Sequence, residues 1–324
     1  MAAILVGVAL LWADLVQAEE DGGQGEDGQE TDWAQVAGLS VGGQAATFVD
    51  GDVVYMAHRN NSERQLAVHK FENGAWVQLG PGKITDQQVD ALSIYVDQGI
   101  PYVAYQEYVP LPQPAKSGAT VIRYDEDRNE WVPVGERLFH RASVYGYVAK
   151  TRLAVDNGNI YVAVSEFVSA TNYVSKVMKY NPDTGAWAEL GGDGDNPLDT
   201  SLVITTDLEM QVADGVVYLS RVHKVPGTPS ISYYVLVHKF DDTVPDGRWE
   251  DITSVSPAWQ VPPNSGDHIT RVYQNRLYLA NVNFYGQTSV YLGENSWQHL
   301  GTLGESVDYG SYIWPHRSSA GTTG

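Results

Sequence analysis

The feature of this chain that most limits its possible folds is an internal repeat. A short segment that begins with Trp recurs along the chain, usually as Trp-x-x-Leu-Gly or a close variant. The copies occupy residues 76–80, 131–135, 187–191 and 297–301, with weaker copies at 249–252 and 33–36. A repeat of this kind has to be interpreted before any residue is given a role, because each unit is one structural module of a larger array.

Two further landmarks recur between the Trp segments. One is a turn, such as Asp-Gly or Asn-Gly, followed by an apolar strand that contains a tyrosine; these tyrosines are Tyr55, Tyr102, Tyr161, Tyr218 and Tyr278. The other is an alternating segment, found at residues 68–71, 121–124, 177–180, 237–240 and 290–292. Alternation of β-branched and aromatic residues with polar ones predicts strands. The Gly-containing pairs supply the positive φ that tight hairpins require.

Together with the apolar stretch before each turn, these landmarks predict four strands in each unit. Units of roughly 45 to 60 residues with four strands are typical of the blades of a β-propeller. Five Tyr strands therefore predict an all-β propeller of five four-stranded blades. Trp33 adds a sixth Trp segment, so a ring of six blades with one incomplete blade is the alternative.

The repeat is similar to those of known propeller families. Residues 179–187, Lys-Tyr-Asn-Pro-Asp-Thr-Gly-Ala-Trp, resemble the end of a kelch repeat, in which an aromatic residue, a turn and a Trp join the two outer strands. The Trp-x-x-Leu-Gly spacing also resembles repeats of propeller lectins. The resemblance covers about residues 33–301 and implies a propeller built from repeats. It assigns no site residue.

Both ends of the chain are expected to lie outside the propeller. Residues 1–18 contain an apolar run, Ala2 to Leu11, and end at the small residue Ala18, which predicts a signal peptide whose apolar run is too short to span a bilayer. Residues 19–31 combine Gly, Gln and carboxylates and predict a flexible acidic tether. The propeller is assigned to residues 32–316 and a C-terminal tail to 317–324. We therefore expect an extracellular, cell-surface or periplasmic protein with no transmembrane span.

Charge and composition exclude several classes of function. The formal net charge is −20, from 40 acidic and 20 basic side chains, so the average field repels nucleic acids and no nucleic-acid partner is expected. The chain has no cysteine, which excludes disulfides and thiol chemistry. The P-loop motif does not occur, and the strings that match GxGxxG (residues 23–28) and GxSxG (residues 38–42) do not stand between a predicted strand and a predicted helix, so no organic cofactor is expected.

Loop length indicates a candidate binding surface. The connections between the second and third strands, and between the Trp strand and the next blade, are the ones that vary most in length. In an up-and-down blade these connections emerge on one face, which we call the long-loop face and where binding residues are expected. Its polar and aromatic groups suit a sugar or a peptide. The candidate ligand-binding residues are His58, Arg59, Glu107, Tyr108, His140, Arg141, Tyr145, Glu166, Arg221, His223, Asp267, His268 and Tyr285.

These observations support one main functional hypothesis and two alternatives. The main hypothesis is an exported recognition or scaffolding propeller that binds a glycan, a peptide or a protein partner through the long-loop face without catalysis. The alternatives are a carbohydrate-active enzyme, either a hydrolase or a lyase, and a purely structural subunit of a surface assembly. Residues 193–199 alternate oxygen ligands of the kind that calcium prefers, so Asp193, Asp195 and Asp199 are candidate metal ligands.

Overall fold

The protein is described by a computed structural model. It describes residues 44–60, 63–109, 116–142, 146–169, 172–191, 198, 208–225, 232–245, 247–253, 260–261, 268–274, 276–282, 288–293 and 297–303. The chain divides into two compact units. Unit 1 comprises Met1–Val144 and Tyr180–Trp187, and unit 2 comprises Tyr145–Lys179 and Ala188–Gly324.

The first two sheets are antiparallel, and their strands follow the order of the chain. Blade 1 consists of β1 (Ala45–Asp50), β2 (Val53–Arg59), β3 (Leu66–Glu72) and β4 (Ala75–Gln78). Blade 2 consists of β5 (Val89–Asp97), β6 (Ile100–Val109), β7 (Lys116–Asp125) and β8 (Glu130–Pro133). A short strand, β9 (His140–Arg141), also pairs with β7.

The other three sheets repeat this order. Blade 3 consists of β10 (Tyr147–Asp156), β11 (Asn159–Ser169), β12 (Asn172–Asn181) and β13 (Ala186–Glu189). Blade 4 consists of β14 (Leu208–Ala213), β15 (Val216–Val225), β16 (Ser232–Asp241) and β17 (Trp249–Asp251), and β18 (Gln260–Val261) also pairs with β16. Blade 5 consists of β19 (His268–Tyr273), β20 (Arg276–Val282), β21 (Thr288–Gly293) and β22 (Trp297–Leu303). The prediction of an all-β propeller with five four-stranded blades is confirmed.

Within each unit, the first strands of successive blades lie side by side. In unit 1, β1 contacts β5, and in unit 2, β10 contacts β14 while β14 contacts β19. The strands that carry the repeated Trp form the opposite edges of the sheets. Side chains on the first strands are therefore placed where different blades of one unit meet.

The turns between first and second strands have the conformation that their sequences predict. In blade 2, Gln98 and Gly99 have φ values of 51° and 78°, and in blade 3, Asn157 and Gly158 have φ values of 50° and 78°. Two successive residues with positive φ form the type I′ turn, whose twist matches that of the flanking strands. These two hairpins fix the register of β5 with β6 and of β10 with β11.

Each repeated Trp that the structure describes in blades 2 to 5 is bound to the preceding blade. Its indole N–H donates a hydrogen bond to a backbone carbonyl that follows the preceding Trp strand. The pairs are Trp131 to Leu79 at 3.0 Å, Trp187 to Val134 at 2.9 Å, Trp249 to Leu190 at 3.0 Å and Trp297 to Ile252 at 2.7 Å. The repeated Trp thus serves packing between blades, as expected for units that cannot bury their own faces alone.

Steric constraints explain why the Trp-x-x-Leu-Gly repeat ends in Gly. Gly80, Gly135 and Gly191 have φ values of 78°, 70° and 71°, a region that side chains disfavour. A Cβ atom on Gly80 would lie 2.8 Å from the ring of Trp131. Equivalent atoms on Gly135 and Gly191 would lie 2.9 Å from the next Trp ring in each case. Glycine is therefore needed both for the backbone conformation and for the room that the next Trp occupies.

Several predicted segments lie outside the described residues. They are the signal peptide 1–18, the tether 19–31, the segment around Trp33, the stretch 308–316 and the tail 317–324. In the described part of the chain, no helix has both the length and the apolar character needed to cross a bilayer.

Gly80→Ala is expected to destabilise the protein more than Gly99→Ala. Both glycines have a φ of 78°, so both substitutions cost roughly 1 to 2 kcal/mol for left-handed backbone. Gly80 also meets Trp131, whereas nothing lies within 4 Å of a Cβ at Gly99. We expect an additional loss of about 1 to 3 kcal/mol at Gly80 from overpacking, measured by urea unfolding of both variants. Equal losses would show that Trp131 does not require this space.

Candidate functional site

Some of the predicted site residues lie outside the described part of the chain. They are Tyr145, Asp267, Tyr285 and the three candidate metal ligands Asp193, Asp195 and Asp199. The calcium hypothesis therefore stays a prediction. Within the described ranges, no group of three His, Asp or Glu side chains is arranged to hold a metal ion. His223 lies in β15.

In blade 1 the predicted residues are engaged in contacts along the sheet. His58, only 4% exposed, lies with its Nε2 atom 3.1 Å from Nδ1 of His69, and the two rings are stacked. Burial lowers the pKa of His58. Burial also lowers the pKa of His69, and the neighbouring His58 lowers it further. Arg59 forms an ion pair with Asp90 of blade 2 at 2.8 Å.

In blade 2 the predicted residue Glu107 binds the segment that follows β8. Glu107 is completely buried, and it accepts a hydrogen bond from Thr120 at 3.2 Å and pairs with Arg137. Arg137 belongs to the segment after β8, so this ion pair fastens that segment to β6 and β7. His140 and Arg141 form β9, while Tyr108 lies near the end of β6. Glu107 therefore holds this connection in place, and its predicted role as a ligand contact stays a prediction.

In unit 2 three further predicted residues are buried in strands. Glu166 is 6% exposed and pairs in register with Val148. Arg221 is 1% exposed and donates a hydrogen bond to the carbonyl of Leu198 at 2.8 Å. His268 lies with Nε2 2.9 Å from the Ser220 hydroxyl of the neighbouring blade.

The expectation that these side chains lie in loops was therefore wrong for several of them. His58, Glu107, Glu166, Arg221 and His268 all belong to strands and are buried. For Glu166 and Arg221 the reason is strand length, because β11 and β15 run on beyond the Tyr landmark into stretches that the sequence spacing assigned to loops. Burial in a strand limits access to a ligand.

The described residues contain a partly exposed aromatic cluster at the long-loop end of blade 3. Tyr147, Phe167 and Tyr173 are in register across three strands, and we call them the aromatic row. The rings of Tyr147 and Phe167 are stacked at 5.1 Å and 22°, and Phe167 meets Tyr173 edge-on at 5.4 Å. Burial, followed by a hydrogen bond with Tyr147, raises the pKa of Tyr173 to about 12. Tyr147 is 37% exposed, so the row presents an aromatic ring to solvent.

The first strands of unit 2 also bring charged side chains together. We call Lys150, Arg152, Glu209 and Arg271 the charged group. Arg152 of β10 donates hydrogen bonds from Nε and Nη2 to Oε1 of Glu209 on β14, at 2.9 and 2.5 Å. Burial alone would raise the pKa of Glu209, but Arg152, with smaller effects from Arg271 and Lys150, holds that pKa below its usual value. Glu209 is therefore ionised at neutral pH.

The sequence contains a signal for the charged group that loop length does not reveal. Arg152 and Glu209 occupy equivalent positions of their first strands, opposite Ala163 and Ser220 on the second strands. The same position holds Ala46, Ser93 and Ile269 in the other blades, each opposite an alanine. Alignment of the repeats on their hairpins would have revealed two adjacent blades in which charged residues replace small or apolar ones.

No protein-family model and no curated protein matches this chain. Solved structures with a similar fold include YjhT, with a TM-score of 0.52 and 15% identity over 81% of this chain and 84% of that one. They also include the Trypanosoma rangeli sialidase in complex with the inhibitor DANA, with a TM-score of 0.50 and 10% identity over 81% of this chain and 48% of the sialidase. The Penicillium chrysogenum α-L-arabinanase complexed with arabinobiose has a TM-score of 0.47 and 10% identity over 79% of each chain. At these identities the similarity shows the propeller fold alone, and membership of a kelch or lectin family is not shown.

The stability of the protein is expected to fall between about pH 7 and pH 5. The pKa values of His58 and His69 lie below the ordinary 6.5 in the folded state, so the unfolded chain binds protons first as the pH falls. The free energy of unfolding therefore decreases below about pH 6.5, where the unfolded state binds more protons. His69→Gln should make this decrease smaller.

Thermal unfolding midpoints measured across this pH range test the expectation. His299→Gln is the matched control, because His299 is an exposed histidine of β22. Equal decreases for the wild type and the His69→Gln variant would show that the histidine pair is not the cause.

Proposed function

We propose that this protein is a carbohydrate-active β-propeller that binds a saccharide on the aromatic row of blade 3. The observation that carries the proposal is the partly exposed, stacked arrangement of Tyr147, Phe167 and Tyr173 at the long-loop end of that blade. This end of the sheet belongs to the surface that loop length indicated as the binding face.

An aromatic ring held at a fixed angle suits a sugar better than it suits most other ligands. A tyrosine ring offers an apolar face for the C–H groups of a sugar and a hydroxyl for hydrogen bonding. Contact with Phe167 and the hydrogen bond to Tyr173 hold Tyr147 in place, so little side-chain entropy is lost when a ligand binds. The repeated Trp residues are different, since their rings and N–H groups are used between blades.

The fold supports the proposal by analogy, because the sialidase with an inhibitor bound is one solved structure with a similar fold. Glycoside hydrolysis generally needs two carboxyl groups, one of them protonated. Glu209 is held ionised, so in a hydrolase it would serve as the base, the nucleophile or a stabilising anion. Turnover is therefore tested together with binding.

Tyr147→Ala is expected to reduce glycan binding at least about tenfold, a loss that corresponds to roughly 1.4 kcal/mol of stacking. Tyr273→Ala is the matched control, since Tyr273 is 40% exposed and lies at the hairpin end of a first strand in the same unit. A glycan array identifies the ligand, and calorimetry compares the variants. Tyr147→Leu, which keeps apolar packing but lacks the ring, separates stacking from a loss of folding.

Two results would contradict the proposal. One is a folded wild-type protein that binds no glycan on the array. The other is binding that Tyr147→Ala and Tyr273→Ala reduce equally. Release of reducing ends from the bound glycan would identify a hydrolase, and binding without product would identify a recognition propeller.

The proposal includes an extracellular, cell-surface or periplasmic location. It depends on the expected signal peptide, because Ala18 precedes the acidic stretch that begins at Glu19. We expect the mature chain from the native source to begin near Glu19, which intact mass spectrometry measures. A mass that retains residues 1–18 would overturn the exported location.

A further inference from the structure

Trp76 of blade 1 packs within its own blade in the same way as the repeated Trp of the later blades. Its ring meets Phe71 of the third strand with 5.3 Å between the centroids. The same separation joins the equivalent rings in blades 2, 3 and 4, which are Tyr124 with Trp131, Tyr180 with Trp187 and Phe240 with Trp249. The indole of Trp76 is therefore placed as the indoles are that bind a preceding Trp segment.

The acceptor for each anchored Trp stands at a fixed position of the preceding repeat, three residues after the preceding Trp. We call the residue at this position the platform residue. Its own backbone N–H donates to the third strand of its blade, at 2.8 to 3.0 Å. The platform residues for blades 2 to 5 are Leu79, Val134, Leu190 and Ile252. All four are apolar, so a platform residue combines an apolar side chain with a fixed backbone carbonyl.

The nearest Trp segment before blade 1 in the sequence is residues 33–36, which lie outside the described residues. Val36 stands three residues after Trp33, so it occupies the platform position and has the required apolar character. The next residue is alanine rather than glycine. The segment of blade 4 departs in the same way, with Thr253 after Ile252, and Ile252 still accepts the Trp297 hydrogen bond at 2.7 Å. The sequence at 33–37 is therefore compatible with the contact.

The chain between Val36 and blade 1 is long enough for this contact. Gln44 is fixed just before β1, because its carbonyl accepts the N–H of Arg59 at 3.0 Å and its Oε1 accepts the N–H of Ala91 at 2.7 Å. Val36 lies nine positions before the start of β1, and nine residues reach about 30 Å when extended. The equivalent connection from Leu79 to the start of β5 has ten positions.

The last Trp segment of the chain lacks the features of a platform. Its platform position is Leu300, where the register with β21 shifts: Val290 pairs with Gly301 and Tyr291 pairs with His299. Leu300 is thus the extra residue of a bulge, and it is 40% exposed. Among the described residues, nothing lies within 4 Å of a Cβ atom on Gly301, whereas the equivalent atom on Gly80 meets Trp131.

We propose that residues 33–36 bind blade 1 as an additional outer segment, in which the carbonyl of Val36 accepts the hydrogen bond of the Trp76 indole N–H. The occupant of this surface of blade 1 is a segment of the same chain. The surplus Trp segment then has a role in a propeller of five blades, and the folded domain begins at Trp33. The inference concerns assembly of the propeller and does not depend on the proposed glycan binding.

Deletion of residues 32–38 from the full chain, combined with Trp76→Phe, tests the contact. Trp76→Phe keeps an aromatic ring and removes the N–H donor. We expect it to lower the melting temperature by about 2 to 4 °C in the full chain, the effect of one hydrogen bond in a domain of this size. After the deletion it should lower the melting temperature by less than about 1 °C, because the acceptor is gone.

Trp187→Phe is the matched control, since the Trp187 N–H binds Val134 and not the deleted segment. Its effect should be equal with and without residues 32–38. Hydrogen exchange of the indole N–H groups, measured by NMR, gives a second readout: exchange at Trp76 should become at least about tenfold faster after the deletion, while Trp187 is unchanged. Val36→Asp, which keeps the chain length, replaces the deletion if the shortened chain does not fold.

Three results would overturn the inference. The first is an equal effect of Trp76→Phe with and without residues 32–38. The second is unchanged exchange of the Trp76 indole after the deletion. The third is a stabilising effect of the segment that disappears on dilution, because the segment would then bind a second copy of the chain. Loss of glycan binding in any of these variants bears on the proposed function alone.

Discussion

The anchoring of the outer-strand Trp of blades 2 to 5 on the preceding blade is the contact on which the rest of the structure depends. Trp131 donates its N–H to Leu79, and Gly80 leaves the space that its ring fills. The Trp, the Leu and the Gly of the repeat are therefore parts of one contact between neighbouring blades. A single blade cannot bury both faces of its sheet, so this contact supplies the packing that makes each unit stable. The repeat is regular because every blade needs the same partner.

This contact lies at the outer edges of the sheets. The residues of the first strands can therefore differ from one blade to the next. Opposite a constant small residue on the second strand, these strands carry Ala46, Ser93, Arg152, Glu209 and Ile269. Packing alone would favour similar residues at equivalent positions. The charged residues Arg152 and Glu209 stand in two adjacent blades and form an ion pair with each other. At this position of unit 2, a specific ion pair therefore replaces the small or apolar residue of the other blades.

The features that sequence analysis predicted well are local or strictly repeated. The hairpin at Asn157-Gly158 and the packing role of Trp131 follow from a turn conformation and from a motif that returns in each blade. The surroundings of the candidate ligand-binding residues were harder to predict, because composition does not reveal whether a polar side chain already has a hydrogen-bond partner. Glu107 was chosen as a polar loop residue, yet it is buried and bonded to Thr120 and Arg137. Arg152 and Glu209 are 57 residues apart, and only the fold brings them together.

Polar groups with a structural role in this protein can be recognised because their hydrogen bonds and charges are already satisfied within the fold. Glu107 has its hydrogen bonds and a counter-charge, and His268 has the hydroxyl of Ser220, so these groups hold the blades and their connections together. The long-loop end of blade 3 is different, because Tyr147 is 37% exposed although its ring is stacked on Phe167. A ligand with an apolar face would cover that ring. A stable fold does not require an exposed aromatic ring, which is why we propose binding rather than packing as the role of Tyr147.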